Sequence, residues 1–246
     1  MKLLISVTSL EEAQAAVLGG ADIVDVKNPL EGSLGAQVPR IIQAIATAIP
    51  PPVELSASIG DVPNLPGTVA LAGMGAVLCG VGYVKVGLLG VRTVEEAKYL
   101  LLELRRAVKD TNPKARVVAC AYADAAKINA LDPLCLPEVA AFSEVDGCMI
   151  DTALKDGRTL LQCLPLSTIR SFIRSCHQHG LFCALAGSLG PGDLPWAEHE
   201  GVDIVGIRTA ACEGGRRMGS IAVHKVRELK EALSSQDHRP LRPSLL

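Results

Sequence analysis

Eight short apolar runs, rich in β-branched residues, alternate with helical patterns along this chain, and this alternation limits the fold more than any other feature. The runs occupy residues 3–7, 22–27, 53–58, 83–87, 116–121, 147–151, 182–186 and 203–207. A helix between consecutive strands allows them to pair in parallel. Eight such units in about 235 residues predict an α/β fold with one domain, a (β/α)8 TIM barrel, which we assign to residues 1–233.

A doubly wound parallel sheet would produce the same alternation. Nucleotide-binding sheets of that kind carry G-x-G-x-x-G or G-x-x-x-x-G-K-[ST] after a strand, and neither pattern follows any of the eight runs. This difference favours the barrel. Capping residues are expected at Ser9, Thr93 and Ser167. The first predicted helix ends near residue 20, and the others span residues 36–48, 66–79, 93–109, 133–142, 167–179 and 221–233. Residues 234–246 are expected to form a disordered tail.

The charge balance argues against polyanionic partners. The 24 Lys and Arg residues face 26 Asp and Glu residues, so no overall basic field attracts nucleic acid or anionic lipid. Residues 62–84 carry no charge, but Pro63, Pro66 and five glycines favour a buried helix followed by a strand over a membrane span. The first twelve residues are too acidic for a signal peptide, which predicts a cytoplasmic protein. The sequence leaves open whether the protein forms a homo-oligomer.

The cysteines and histidines do not form a metal-binding pattern. The eight cysteines are scattered without Cys-x-x-Cys spacing, and all five histidines lie in the C-terminal third. Scattered cysteines in a cytoplasmic protein indicate reduced core thiols. We therefore predict neither a metal nor another cofactor.

Charged residues at the ends of alternate strands give the main functional signal. Side chains alternate between the two faces of a strand, so Asp25 and Lys27 share a face of the second strand. Lys85 shares a face of the fourth strand with Tyr83 and Gly87, Asp151 ends the sixth strand, and Lys155 follows in the sixth loop. Because active sites of barrels lie at the carboxyl ends of the strands, these five charged residues are expected to converge. A lysine in such a desolvated cluster can act as a neutral nucleophile, whereas the alternative is a set of solvated strand-end charges.

Glycines in the seventh and eighth loops give a second signal. Gly187 and Ser188 follow the seventh run, and Gly206 and Arg208 lie at the end of the eighth. These loops often bind phosphate in barrels, because glycine lets backbone N–H groups approach the anion. Arginine can add a bidentate contact. We predict a phosphate site here, with Ser33 as a candidate contact to a second phosphate; the alternative is that these glycines only serve turns.

At these residues the chain resembles the (5-formylfuran-3-yl)methyl phosphate synthases, also called 4-(hydroxymethyl)-2-furancarboxaldehyde phosphate synthases. The matching runs are GGADIVDVKNPLEGSLGA at 19–36, GDVP at 60–63, YVKVGL at 83–88, AYAD at 121–124, MIDTALKDG at 149–157, CALAGS at 183–188 and DIVGIR at 203–208. They spread over residues 3 to about 232. The loop at residues 213–218 and the tail do not match a pattern, so no function is assigned to them.

The resemblance implies a TIM-barrel lyase of methanofuran biosynthesis, a part of one-carbon metabolism. Two molecules of glyceraldehyde 3-phosphate would condense to the furan phosphate and lose one phosphate and two waters. Carried over by residue, Lys27 corresponds to the Schiff-base lysine and Lys85 to the proton acceptor, while Asp25, Asp151 and Lys155 complete the acid–base set. Two alternatives remain: a Schiff-base aldolase for another phosphosugar, and a phosphometabolite-binding barrel without catalysis.

Overall fold

Eight parallel strands close into one barrel in the computed structural model, which describes residues 1–234. The strands are β1 (Lys2–Val7), β2 (Ile23–Val26), β3 (Glu54–Ser58), β4 (Tyr83–Gly87), β5 (Arg116–Tyr122), β6 (Gly147–Asp151), β7 (Phe182–Leu185) and β8 (Ile204–Ile207). Each strand pairs with the next in sequence, and β8 returns to β1 with Ile5 opposite Ile207. The predicted single-domain (β/α)8 barrel is confirmed.

Helices connect the strands on the outside of the barrel. They are α1 (Leu10–Leu18), α2 (Pro39–Ala48), α3 (Pro66–Leu78), α4 (Val94–Thr111), α5 (Ala125–Ile128), α6 (Leu136–Phe142), α7 (Leu160–Cys163), α8 (Leu166–Gln178), α9 (Leu194–His199) and α10 (Val223–Ser234). The large core lies between these helices and the outward faces of the strands. A smaller apolar core fills the lower barrel and includes Leu4, Ile23, Tyr83 and Met149. The buried inward charges therefore lie at the carboxyl end, whereas Lys2, Glu54 and Arg116 meet around Tyr83 at the partly exposed amino end.

Several helix boundaries differ from the sequence prediction. α2 begins at Pro39 rather than at residue 36, and the predicted helix 133–142 is a 3₁₀ turn (Pro133–Cys135) followed by α6. The expected cap at Ser167 is wrong, because α8 begins one residue earlier, after Pro165. Thr93 does form a full capping box with Glu96. The short helices α5 and α7 escaped prediction because four residues do not show a helical period.

The uncharged segment at residues 62–84 forms α3 and β4. One face of α3 is buried, and Gly73 packs there against Leu104 of α4. The other face exposes Leu71 and Leu78, so the helix is half-buried rather than buried. No helix in the described part of the chain has the length and apolarity needed to cross a membrane. Apart from Ser234, which ends α10, the predicted tail lies outside the described residues.

Candidate active site

Four ionisable side chains from three alternate strands point into the carboxyl end of the barrel. Asp25 belongs to β2, Lys27 follows it directly, Lys85 belongs to β4, and Asp151 ends β6. Their exposed fractions are 5% or less. Lys155 reaches the same group from the loop after β6. The structure thus brings together all five residues that strand alternation and the sixth loop predicted; we call this end of the barrel the mouth.

Lys85 and Asp25 form a buried ion pair across the barrel. The Nζ of Lys85 donates to Oδ2 of Asp25 at 2.8 Å, and the Ser6 hydroxyl donates to the same oxygen at 3.0 Å. The other carboxylate oxygen, Oδ1, has no hydrogen-bond partner among residues 1–234. A fixed ammonium and a carboxylate with a free oxygen are suited to moving a proton at this position.

Lys155 and Asp151 form a second pair on the opposite side of the mouth. The Nζ of Lys155 donates to Oδ1 of Asp151 and to the Thr152 hydroxyl, both at 3.0 Å. The backbone N–H of Thr152 also donates to Oδ1, at 2.7 Å. Burial acts to raise the pKa of Asp151, but Lys155, Lys27 and these hydrogen bonds hold the pKa well below its ordinary value. Asp151 is therefore an anion at neutral pH.

Lys27 lies between these pairs without a partner of its own. Its ammonium makes no hydrogen bond or ion pair with any residue that the structure describes. Burial lowers the pKa of Lys27 to about 8; Asp151 and Asp25 oppose the shift, and Lys85 and Lys155 add to it. A considerable fraction of Lys27 is therefore neutral near physiological pH, as an amine nucleophile requires.

The seventh loop presents free backbone donors to the mouth. Gly187 and Ser188 both adopt the left-handed region, with φ of 111° and 55°, and they line the mouth together with Leu189. The N–H groups of these three residues find no protein acceptor within residues 1–234. Gly206 of β8 lines the mouth beside this loop, and a Cβ there would lie 3.0 Å from Cε of Met149. Free amides in such a turn are a common site for an anion.

Arg208 also lines the mouth, but the protein already uses its hydrogen-bonding capacity. Its guanidinium forms a buried ion pair with Glu12 of α1, at 2.9 and 3.2 Å. It also donates to the carbonyls of Ser6, Arg217 and Gly219. These contacts occupy all five N–H donors of the side chain. A contact from Arg208 to a phosphate would therefore have to replace one of these bonds.

Ser33 is likewise engaged with the protein. Its buried hydroxyl donates to the Thr152 carbonyl at 2.9 Å and lies 3.4 Å from Oδ2 of Asp151. Ser33 does not line the mouth in this structure. It instead joins the loop after β2 to the loop after β6, and so helps to hold Asp151 in place.

Two further features were not predicted from the sequence. Arg217, in the loop to which no function was assigned, lines the mouth and donates to the Gly32 carbonyl at 3.2 Å. Asp61, from the loop after β3, accepts a short hydrogen bond from the Tyr122 hydroxyl and another from the Leu34 N–H, at 2.8 Å. Both Asp61 and Tyr122 lie within the matching runs, which was the available signal for them. Arg217 had none, because strand alternation does not define the path of a loop.

A closed (β/α)8 barrel with lysines and carboxylates converging at its carboxyl end defines a barrel enzyme with a lysine-centred site. Among the described residues, no three His, Cys, Asp or Glu side chains lie close enough together to hold a metal ion. A family model described as 4-HFC-P synthase matches residues 3–230. The chain belongs to this family of synthases.

Relatives over the whole barrel agree with that assignment. The (5-formylfuran-3-yl)methyl phosphate synthase of Methanopyrus kandleri is 50% identical over 95% of this chain and 99% of the relative. That of Methanothermobacter thermautotrophicus is 50% identical over 96% of this chain and 100% of the relative. The enzyme of the same name from Methanocaldococcus jannaschii is 47% identical over 94% of this chain and 99% of the relative.

Solved structures support the fold at much lower identity. The 3-hexulose-6-phosphate synthase of Salmonella typhimurium aligns with a TM-score of 0.67 and 17% identity, over 95% of this chain and 99% of that one. Phosphoribosyl anthranilate isomerase of Thermus thermophilus aligns with a TM-score of 0.62 and 20% identity, over 96% and 99%. At these identities the likeness concerns the barrel alone.

Proposed function

We propose that this enzyme is a carbon–oxygen lyase that condenses two molecules of glyceraldehyde 3-phosphate to (5-formylfuran-3-yl)methyl phosphate. One phosphate and two waters are lost, which balances the atoms without an oxidant or a reductant. Family membership supports the product, and methanofuran biosynthesis in the cytoplasm is the proposed setting. The observation that carries the chemistry is the buried, unpartnered Lys27, whose pKa is lowered to about 8.

In the proposed mechanism Lys27 attacks the aldehyde carbon of the first triose phosphate and releases water to form an imine. The imine withdraws electrons and so acidifies the proton on the adjacent carbon. Lys85 is the proposed acceptor of that proton: its ammonium first passes a proton to the Asp25 carboxylate at 2.8 Å, and the neutral amine then takes the proton from carbon. Phosphate then leaves the third carbon by β-elimination.

The remaining steps build the ring. The second triose first isomerises by a proton transfer from its middle carbon to its aldehyde carbon, which makes the middle carbon a ketone and leaves a terminal hydroxyl. The terminal enamine-type carbon of the first triose attacks this ketone. The terminal hydroxyl then adds to the middle carbon of the first triose and closes the five-membered ring. Dehydration and return of the Lys27 amine release the furan aldehyde. We assign Asp151 and Lys155 to the proton transfers of these steps, since they form an ion pair beside Lys27. The backbone amides of Gly187 and Ser188, beside Gly206, are the proposed binding site for a substrate phosphate.

The product of incubation with glyceraldehyde 3-phosphate alone tests this function. We expect one inorganic phosphate for each ultraviolet-absorbing furan aldehyde formed. A Schiff-base aldolase would keep both phosphates in its product, and a binding barrel would yield no product. Either result would refute the proposal.

Borohydride trapping tests the covalent step. Reduction in the presence of glyceraldehyde 3-phosphate should add the mass of the reduced adduct to the peptide containing Lys27. The variant Lys27→Ala should lose both the adduct and turnover. The exposed Lys114 gives a matched control, since Lys114→Ala removes a lysine far from the mouth. Normal turnover by Lys27→Ala would rule out the imine mechanism.

A further inference from the structure

The cations around the mouth differ in whether the protein neutralises them. Lys85 pairs with Asp25, Lys155 pairs with Asp151, and Arg208 pairs with Glu12. Lys27 and Arg217 form no ion pair within residues 1–234. Positive charge without an ion-pair partner in a small cleft favours binding of an anion such as a phosphate ester. The proposed reaction uses Lys27 as a neutral amine, so Arg217 remains as a permanent cation.

Arg217 is held over the mouth by Arg208. The Nε of Arg208 donates to the carbonyl of Arg217 at 2.9 Å, and its NH2 group donates to the carbonyl of Gly219 at 3.4 Å. Because Glu12 and α1 fix the Arg208 guanidinium, the loop carrying Arg217 is fixed as well. Arg208 therefore acts as a positioning residue.

The guanidinium of Arg217 keeps most of its donors free. Its one hydrogen bond to a described residue is that from NH2 to the Gly32 carbonyl, at 3.2 Å. Four of its five N–H groups are thus available, and an arginine can present two of them to one phosphate. The side chain lines the same cleft as Gly187, Ser188 and Lys27. The cleft therefore combines free backbone amides with a free guanidinium.

We propose that Arg217, and not Arg208, is the guanidinium that binds the phosphate of the substrate, together with the amides of Gly187 and Ser188. That the phosphate belongs to a triose phosphate rests on the proposed function. That the site binds a phosphate dianion rests on the geometry alone. Removing Arg217 should therefore weaken recognition of the phosphate group while leaving the reactivity of Lys27 intact.

The neighbouring Arg216 provides a matched control. Arg216 lies in the same loop and is exposed, and it does not line the mouth. Binding of inorganic phosphate is measured by calorimetry for the wild type, Arg217→Gln and Arg216→Gln. We expect Arg217→Gln to bind phosphate on the order of 10- to 100-fold more weakly, the range expected for losing a charge-assisted contact. Arg216→Gln should bind phosphate as the wild type does.

Trapping with two aldehydes separates phosphate binding from a merely structural role. Half-saturation of borohydride trapping on Lys27 is compared for glyceraldehyde 3-phosphate and for unphosphorylated glyceraldehyde. Arg217→Gln should require about 10- to 100-fold more of the phosphorylated aldehyde, with no change for glyceraldehyde. Arg217→Lys keeps the charge but loses the paired N–H donors of the guanidinium. Its half-saturation concentration for the phosphorylated aldehyde should lie between those of the wild type and Arg217→Gln.

Three results would overturn the proposal. If Arg217→Gln raised the half-saturation concentration equally for both aldehydes, Arg217 would serve only to connect the loops after β8 and β2. Equal losses in Arg216→Gln would indicate a general field effect. Phosphate binding that is absent from the wild type, or unchanged in Arg217→Gln, would remove the anion site. If the wild type forms no adduct and no furan, the proposed function fails, and the calorimetry still decides the role of Arg217.

Discussion

The ammonium of Lys85 lies 2.8 Å from Oδ2 of Asp25, and the exposed fractions of the two residues are 2% and 0%. They come from β4 and β2, which are separated by β3, so the contact spans the inside of the barrel. Removing both charges from water costs several kcal/mol for each ion, which attraction only partly repays. A barrel needing only stability would be served as well by apolar side chains here, so the pair is better explained by chemistry at the mouth.

This relationship predicts strong coupling between the two residues. Asp25→Asn leaves the buried Lys85 without a counter-charge and should lower the free energy of unfolding by about 3–5 kcal/mol. Lys85→Met should lower the free energy of unfolding by a similar amount, because it leaves the buried Asp25 without a counter-charge. The double variant should lose clearly less than the sum, since it leaves no unpaired charge. Urea unfolding followed by circular dichroism measures all three, and simple additivity would contradict the prediction.

Imine formation should depend on pH through Lys27. Because only the neutral amine attacks, the rate of borohydride trapping should rise about tenfold per pH unit and level off above a midpoint near pH 8. Asp151 raises the pKa of Lys27, so Asp151→Asn should move the midpoint to lower pH. The check is the trapping rate as a function of pH for both proteins. A midpoint that stays in place or rises would exclude this role for Asp151.

The sequence predicted the fold and the membership of the site because both follow from strand periodicity. A period of two places Asp25 and Lys27 on one face of the strand. The rule that barrel sites lie at the carboxyl ends of the strands then predicts that they meet the charged residues of the other strands. It could not predict which charges pair, since the contact from Lys85 to Asp25 depends on the stagger of strands that are not neighbours. The partner of Arg208 is Glu12, which is 196 residues away in the chain, so no local sequence pattern could predict this ion pair.

Loop paths account for the remaining gap between prediction and structure. Arg217 reaches the mouth through a loop in which Gly214 and Gly215 both adopt positive φ, 63° and 64°. Two glycines permit such a course without dictating it. Ser33 shows the converse, because it lies in a matching run yet its hydroxyl is used by Thr152 and Asp151 of the neighbouring loop. Short-range sequence rules therefore place strand ends better than they place loop side chains.

Gly87 at the end of β4 should not tolerate a side chain. A Cβ at this position would overlap Asp61 and the Tyr122 hydroxyl, which hydrogen-bond to each other directly above it. Gly87→Ala should lower the free energy of unfolding by about 1–3 kcal/mol through overpacking. Gly67→Ala is the control: nothing lies within 4 Å of that Cβ, and alanine favours helix α3. Thermal unfolding compares the two, and equal effects would mean that the contact above Gly87 is not limiting.

The lowered pKa of Lys27 also predicts that the reactive group makes the fold less stable. Its pKa is about 8 in the folded protein against 10.5 ordinarily, so the unfolded chain binds more protons between these values. The free energy of unfolding of the wild type should therefore rise with pH across that window. Below pH 8 the charged, buried Lys27 costs about 3 kcal/mol, from about 1.4 kcal/mol for each unit of pKa shift.

Lys27→Met removes that cost while keeping the volume of the side chain. The variant should be inactive but more stable than the wild type by up to about 3 kcal/mol at neutral pH. Its advantage should shrink as the pH rises from about 8 towards 10.5, where Lys27 is neutral in both states. Lys114→Met, which alters an exposed lysine, should show no such dependence. Urea unfolding at several pH values measures the difference. A Lys27→Met protein that is less stable than the wild type at pH 7 would contradict the prediction. It would mean that interactions of the buried ammonium stabilise the fold by more than its desolvation costs.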